Sequence, residues 1–224
     1  LVPEWPRDPA HSPAALLGLT CFETPSLSAE DLARTALYLS ESRRAELKRA
    51  VGSTEEWLKG LAVRVQVEAL RPANLQRAAQ LLNKTNQMNL STRRLSEVEL
   101  AAWVEAGNRR LWTFRVSDRF GDAGLTGIVS IELQGRKAQL VDFVLSCRVM
   151  GRGIEEAMLF TAIAHVPPAA ELHARYLPTA RNAPCLGFFR GLAPRFRQEG
   201  DLFVRDVGHP FPLPRHIELV QPPE

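Results

Sequence analysis

From Val141 to Leu145 the chain is apolar and partly β-branched, and a short way on Ile154, Met158 and Ile163 recur at helical spacing. Between these two patterns lies Arg148-Val149-Met150-Gly151-Arg152-Gly153. A buried strand that passes so quickly into a helix needs backbone that can turn sharply, and glycine supplies it by tolerating positive φ. The start of the helix also presents N–H groups that favour phosphate oxygens. Arg148 and Arg152 add fixed positive charge beside them. The stretch therefore demands a fold in which a sheet strand delivers the chain directly onto a helix. Two readings of the residues stay open: a loop built to hold an anion, or an ordinary strand-to-helix turn.

The 224 residues are enough for one large domain or two small ones, and 45% of them are hydrophobic. No apolar run approaches the ~20 residues of a spanning helix. No basic-then-apolar leader stands at the start, so no membrane association is expected and a cytoplasmic location is. Lys and Arg number 28 against 25 Asp and Glu. That small excess, carried by arginine, does not call for nucleic acid; it suits a phosphate-bearing small molecule, an acidic protein partner, or simply solvated arginines. Cys21, Cys147 and Cys185 are odd in number and lack Cys-x-x-Cys spacing, so neither a disulfide framework nor a metal is expected.

Residues 1–14 hold four prolines and read as an extended linker, which makes the chain look like a module of a longer polypeptide. Residues 15–61 read as a helical section: a short helix at Ala15, a long one from Leu32 to Val51 opened by a capping signal at Ser28, and a third opened by Ser53-Thr-Glu-Glu56. At residue 62 the period changes. Val63, Val65 and Val67 alternate with polar residues, the mark of a half-buried strand. A helix from Leu75 to Leu82 follows.

It runs into the least usual composition in the chain, with Asn83, Thr85, Asn86, Gln87, Asn89, Ser91 and Thr92 close together. Such side chains prefer local backbone hydrogen bonds to regular helix. They are either a polar surface loop or a set of neutral donors and acceptors suited to a hydroxylated substrate. A helix from Leu95, an antiparallel pair of strands turning at Asp118 to Gly124, and a third strand at 138–145 lead back to the glycine stretch. Beyond it come a strand near 170–177, a helix after Asn182 bearing Phe188 and Phe189, and a last strand within 196–204. From Gly208 onward three prolines precede Gln221 and predict an irregular tail over 208–224.

Arg148-x-x-Gly151-x-Gly153 resembles the pyrophosphate-binding loop of the GNAT superfamily of N-acetyltransferases. Asn182 followed by Phe188, Phe189 and Gly191 is similar to that superfamily's second motif, an asparagine that opens a helix flanking the thiol arm of coenzyme A. Within the superfamily, four blocks resemble the carboxy-terminal part of the FkbH-like proteins of polyketide pathways. They are Leu82 to Arg94, Val116 to Leu125, Leu145 to Glu155 and Pro178 to Pro184, spread over most of 62–192. The resemblance implies an α+β fold with a mixed, mainly antiparallel sheet flanked by helices over residues 62–207, preceded by the helical section.

It also implies an acyltransferase that takes a glyceryl unit from 1,3-bisphosphoglycerate, holds it as a thioester, and loads it onto the phosphopantetheine arm of an acyl carrier protein. The family's phosphatase domain carries an Asp-x-Asp motif that this sequence lacks. Dephosphorylation is therefore not expected of this chain alone.

On this resemblance Cys147 is the candidate acyl-accepting nucleophile, with packing in a strand as the plain alternative, and Asn182 belongs with it in the catalytic site. Arg148, Val149, Gly151, Arg152 and Gly153 would hold the phosphate of the carrier arm or of coenzyme A. Asn83, Thr85, Asn86, Gln87 and Asn89 would read the glyceryl hydroxyls, and Asp118 and Arg119 would bind substrate or merely form their turn. Cys185 is a weaker candidate, and His165 and His173 read as packed or helix-terminal. Two other functions compete: an acetyl-CoA-dependent N-acetyltransferase, for which no acidic general base stands out, and a docking module that binds a carrier protein without chemistry.

Overall fold

The structure, a computed structural model, describes residues 5–19 and 29–221, with backbone only over 29–37. The cap expected at Ser28 and Cys21 lie outside the described residues. The chain divides into two compact units, Leu1–Ser42 and Arg43–Glu224. In the first, Pro9–His11 form a 3-10 turn and α1 spans Ser12–Leu17, where an extended linker was expected up to residue 14. Asp8 caps the turn by accepting the N–H of Ala10 at 3.0 Å.

α2 spans Ala29–Ala50 and α3 spans Thr54–Leu61, the latter capped as expected by Ser53, whose hydroxyl accepts the Glu56 N–H. In the second unit, α3 is part of the main core: Leu61 is buried in it, and Leu47, Trp57 and Leu58 pack against it. β1 (Val63–Ala69) then alternates buried and exposed. α4 (Pro72–Lys84), β2 (Met88–Asn89) and α5 (Glu97–Val104) follow, α5 opening on a reciprocal cap between Ser96 and Glu99. The sheet continues with β3 (Arg109–Asp118), β4 (Gly121–Gln134) and β5 (Lys137–Leu145). After α6 (Ile154–Ala164) come β6 (Glu171–Arg175), α7 (Ala183–Gly191), β7 (Arg197–Glu199), β8 (Leu202–Asp206) and β9 (Ile217–Val220).

The strand order is β7-β8-β6-β5-β4-β3-β1-β9, with β2 paired to β5 off this path. Only β5–β6 and β1–β9 are parallel among these pairs; the rest are antiparallel. Neighbouring residues of one strand point to opposite faces, and they divide between two apolar clusters. Phe143 and Leu145 join α6 and α7 in one, whereas Val144 joins α4 and α5 in the other. The α+β architecture, a mixed and mainly antiparallel sheet flanked by helices, is thus the one expected.

Two departures matter for the site. The proline-rich end is not irregular throughout: β9 adds a parallel strand to β1, from Val63 opposite Ile217 to Gln66 opposite Val220. The last strand is therefore not within 196–204, where the chain instead makes the β7–β8 hairpin.

Candidate active site at the glycine loop

β5 and β6 pair only from Lys137 to Leu140 and then part. The edge of β5 that this leaves is taken by β2, with Met88 opposite Leu145 and Asn89 opposite Val144, and by Leu90, whose N–H donates to Phe143 O at 3.2 Å. On the other side Leu177 N–H donates to Leu90 O at 3.0 Å. The segment 88–90 is thus wedged between the end of β5 and the chain that leaves β6.

Asn182 fastens the wedge. Its Nδ2 donates to Asn89 O at 3.0 Å and to Leu177 O at 2.8 Å, while its Oδ1 accepts from Tyr176 Oη at 2.7 Å and Thr179 N at 2.8 Å. The side chain has no exposed surface, and its two donors and two acceptors are all engaged. Asn182 was expected among the catalytic residues; in the structure its side chain fastens this wedge.

β5 ends where a bulge in β4 dictates. Thr126 is the extra residue between the Phe114–Gly127 and Arg115–Leu125 pairs, and its carbonyl accepts Ser146 N–H at 2.8 Å. A 3-10 turn over Cys147–Val149 follows, so Cys147 stands past the strand, exposed, rather than packed within it. Cys185 has the opposite setting. It is wholly buried, and burial pushes its thiol up to about 12 despite a hydrogen bond from the backbone of Asn89. It cannot serve as a nucleophile near neutrality.

Gly151 and Gly153 both adopt left-handed backbone, at φ 72° and 81°. Gly151 has open space where a Cβ would stand, so backbone alone selects glycine there. Gly153 is held doubly: a Cβ would lie 2.9 Å from His216 Nε2. That same nitrogen donates to Arg152 O at 2.8 Å, so the carboxy-terminal segment braces the loop.

Arg148 is exposed, but Arg152 is 5% exposed and turns inward. Its guanidinium donates to Arg148 O at 2.6 Å and pairs with Asp118 at 3.2 Å. Asp118 also takes two bonds from Arg44, at 2.6 and 2.9 Å, and one from Phe120 N at 2.9 Å. With the Asp118 side chain 2% and both arginines 6% exposed, this is a buried Arg–Asp–Arg frame beneath the loop. Asp118, expected to bind substrate or form its turn, is engaged by that frame, and Arg152, expected to hold phosphate, braces the loop from within. Val149 is buried and contributes its N–H to Ser146 O at 3.2 Å.

One group at the loop had no expected role. Glu155, in the first turn of α6 and 4% exposed, accepts the Gly151 N–H at 2.8 Å. Burial raises its pKa, partly offset by the N–H groups of Gly151 and of Glu155 itself; Glu156 adds to the rise and Arg152 opposes it. An acid in a first helical turn is legible as a partner of the helix dipole. Its reach back to Gly151 is not.

The polar segment is mostly occupied in folding itself. Asn89 is wholly buried, donating to Thr85 O at 2.9 Å and accepting Thr92 N–H at 2.8 Å, so its side chain is not available to a glyceryl hydroxyl. Asn83 donates to Leu95 O and Asn86 accepts from Arg94 Nη2, yet Asn83 and Gln87 are exposed and Thr85 and Asn86 half-buried. Arg119 is exposed, donates to Gly60 O at 3.3 Å and lies over the Phe120 ring. His165 is exposed at the end of α6, bonded to Thr161 O, its ring tilted against that of Trp112 with centroids 4.5 Å apart; His173 pairs with Glu171. Among the described residues no group of His, Cys, Asp or Glu is arranged to hold a metal ion, and no helix is long and apolar enough to cross a membrane.

No family model and no curated protein matches the chain. Solved structures similar to it include the ribosomal-protein-S18-alanine N-acetyltransferase of Escherichia coli, at 12% identity and a TM-score of 0.47 over 65% of this chain and 95% of that one. An acetyltransferase of Thermus thermophilus is similar at 14% identity and a TM-score of 0.46, over 65% of this chain and 98% of that one. A spermidine N-acetyltransferase of Vibrio cholerae, in complex with CoA and spermine, is similar at 18% identity and a TM-score of 0.42, over 62% and 91%.

Proposed function

We propose that this chain is an acyltransferase that moves a glyceryl-type group onto the phosphopantetheine thiol of an acyl carrier protein. The observation that carries the reading is an exposed cysteine, Cys147, set directly before a loop with two left-handed glycines at the start of α6. Exposed Arg148 and the open face of Gly151 fit the phosphate of a carrier arm.

In the chemistry we infer, the Cys147 thiolate attacks the acyl carbon of 1,3-bisphosphoglycerate. The acyl–oxygen bond breaks and phosphate leaves with its electron pair. The carrier thiolate then attacks the resulting thioester, and Cys147 departs as thiolate. The second phosphate of the donor stays on the glyceryl group, consistent with the missing Asp-x-Asp motif. Asn83, Thr85, Asn86, Gln87 and Arg119, which the fold leaves exposed or half-buried, are the residues to read its hydroxyls and remaining phosphate.

A second reading draws on the same loop, since positive-φ glycines beside an exposed arginine suit the pyrophosphate of coenzyme A equally well. In that reading the chain is an acetyl-CoA-dependent N-acetyltransferase. Intact-mass measurement of chain and holo-carrier after incubation with 1,3-bisphosphoglycerate separates the two. Mass gained on the carrier, and lost with Cys147→Ser, supports the first reading. Transfer only from acetyl-CoA to amines supports the second, and carrier binding without any mass change would leave a docking module.

A further inference from the structure

From Leu172 to Gln198 the chain carries Arg175, Arg181, Arg190, Arg195 and Arg197 and no acidic residue. All of these arginines are exposed. Arg197 pairs with Glu199 and Arg195 lies over the Phe211 ring, whereas among the described residues Arg181 and Arg190 meet no carboxylate. These two stand near the ends of α7, Arg181 just before it and Arg190 in its last turn. Cys185 and Phe189 form the buried side of that helix. At about 100° per residue, Gly187 lies at the middle of the opposite side, with Ala183, Pro184 and Gly191 around it. These four residues are exposed, so the outer face of α7 is flat with a cation near each end. Nothing within the chain calls for the two glycines: each has open space where a Cβ would stand, and neither has positive φ. Glycine weakens an exposed helix, and what it offers in return is close approach by another backbone.

We propose that the outer face of α7, with Arg181 and Arg190, is the docking surface for an acidic face of the acyl carrier protein. The inference rests on the carrier reading and adds where the carrier sits. The helix is tied to the end of the sheet from which Cys147 follows. Its Phe188 stacks on Phe143 with ring centroids 5.6 Å apart, two residues before β5 ends at Leu145. Leu177, five residues before Asn182, is separated from β5 only by Leu90, about 10 Å at the usual strand spacing. Opposite charge steers the carrier to α7 and sets its orientation. The flat face lets its backbone settle closely, and its arm then starts beside the end of β5.

Two variants test the two parts of the face. Arg181→Glu with Arg190→Glu reverses its charge, and Gly187→Leu fills its middle with bulk. The probe is a holo-acyl carrier protein of net negative charge; free phosphopantetheine serves as the acceptor with the same arm and no protein surface. Calorimetric titration at low salt should show carrier affinity falling about tenfold in the charge-reversed variant, with the difference shrinking as salt rises. Gly187→Leu should weaken the carrier while raising the urea midpoint of the chain, since leucine is the better helix former. Transfer to free phosphopantetheine should be unchanged in both.

Carrier affinity untouched by the charge reversal, or lost together with transfer to free phosphopantetheine, would overturn the docking face. So would self-association of the chain that these changes abolish, which would assign α7 to a second copy. A natural chain that binds no carrier refutes the docking outright. Carrier binding without acyl transfer, weakened by the same variants, would keep the docking face and remove the acyltransferase reading.

Discussion

Replacing Asn182 by alanine separates a fastener from a catalytic group. The substitution deletes four hydrogen bonds. Those to Tyr176 Oη and Asn89 O are buried, and those to Thr179 N and Leu177 O are partly so. A buried polar group left unpaired costs about 1–3 kcal/mol, and a bond whose partner can find water about 0.5–1.5 kcal/mol. Together these give a loss of about 3–9 kcal/mol, a large part of the ~5–15 kcal/mol that holds an ordinary domain folded.

Equilibrium urea unfolding measures the loss, and hydrogen exchange locates it. The amides of Leu90 and Leu177, which knit the 88–90 wedge to its neighbours, should lose protection first. Asn182→Asp should be at least as damaging, because it turns a carboxylate oxygen toward the carbonyls of Asn89 and Leu177. A loss below about 1 kcal/mol, or an aspartate variant as stable as the natural chain, would refute the fastener. Lost acyl transfer with unchanged stability would restore Asn182 to the catalytic list.

Asp118→Asn removes the charge between Arg44 and Arg152 and should cost about 3 kcal/mol in unfolding, with raised hydrogen exchange across 148–153. Gly153→Ala must place a methyl against His216 at φ 81°. It should cost about 1–2 kcal/mol from backbone alone and abolish coenzyme A binding, as calorimetry would show. Iodoacetamide followed by peptide mapping should label Cys147 in the native chain and leave Cys185 unlabelled until denaturant is added. Native labelling of Cys185 would contradict its burial.

What the sequence exposes is what is local. The alternation at Val63, Val65 and Val67, the cap at Ser53, and the glycine turn each depend on neighbours within a few residues, and each appears where expected. β2 is two residues long and β9 only four, hidden among prolines. Both exist through pairing with strands distant in sequence, so neither has a pattern of its own.

The same holds at the site. Asn89 and Asn182 look alike as polar residues in turns, and only their meeting across the wedge shows that one carbonyl and one amide use each other. Glu155 was visible as an acid near a helix start, but its bond to Gly151 requires the loop's actual turn. Arg44 gave no sign at all. An arginine in a helix crowded with arginine and glutamate is marked by the carboxylate it finds, here that of Asp118.

The partners of the glycine loop set an order on its making. Arg44 and Asp118 are 74 positions apart, Asp118 and Arg152 are 34, and Arg152 and His216 are 64. Contacts of such separation form late because the intervening chain must first be closed into place. As the chain is synthesised, the sheet through β5 and the thiol of Cys147 emerge well before His216 does. The nascent chain therefore carries its exposed cysteine ahead of the brace that completes the loop, and the site reaches working shape only once His216 has emerged to close on Arg152.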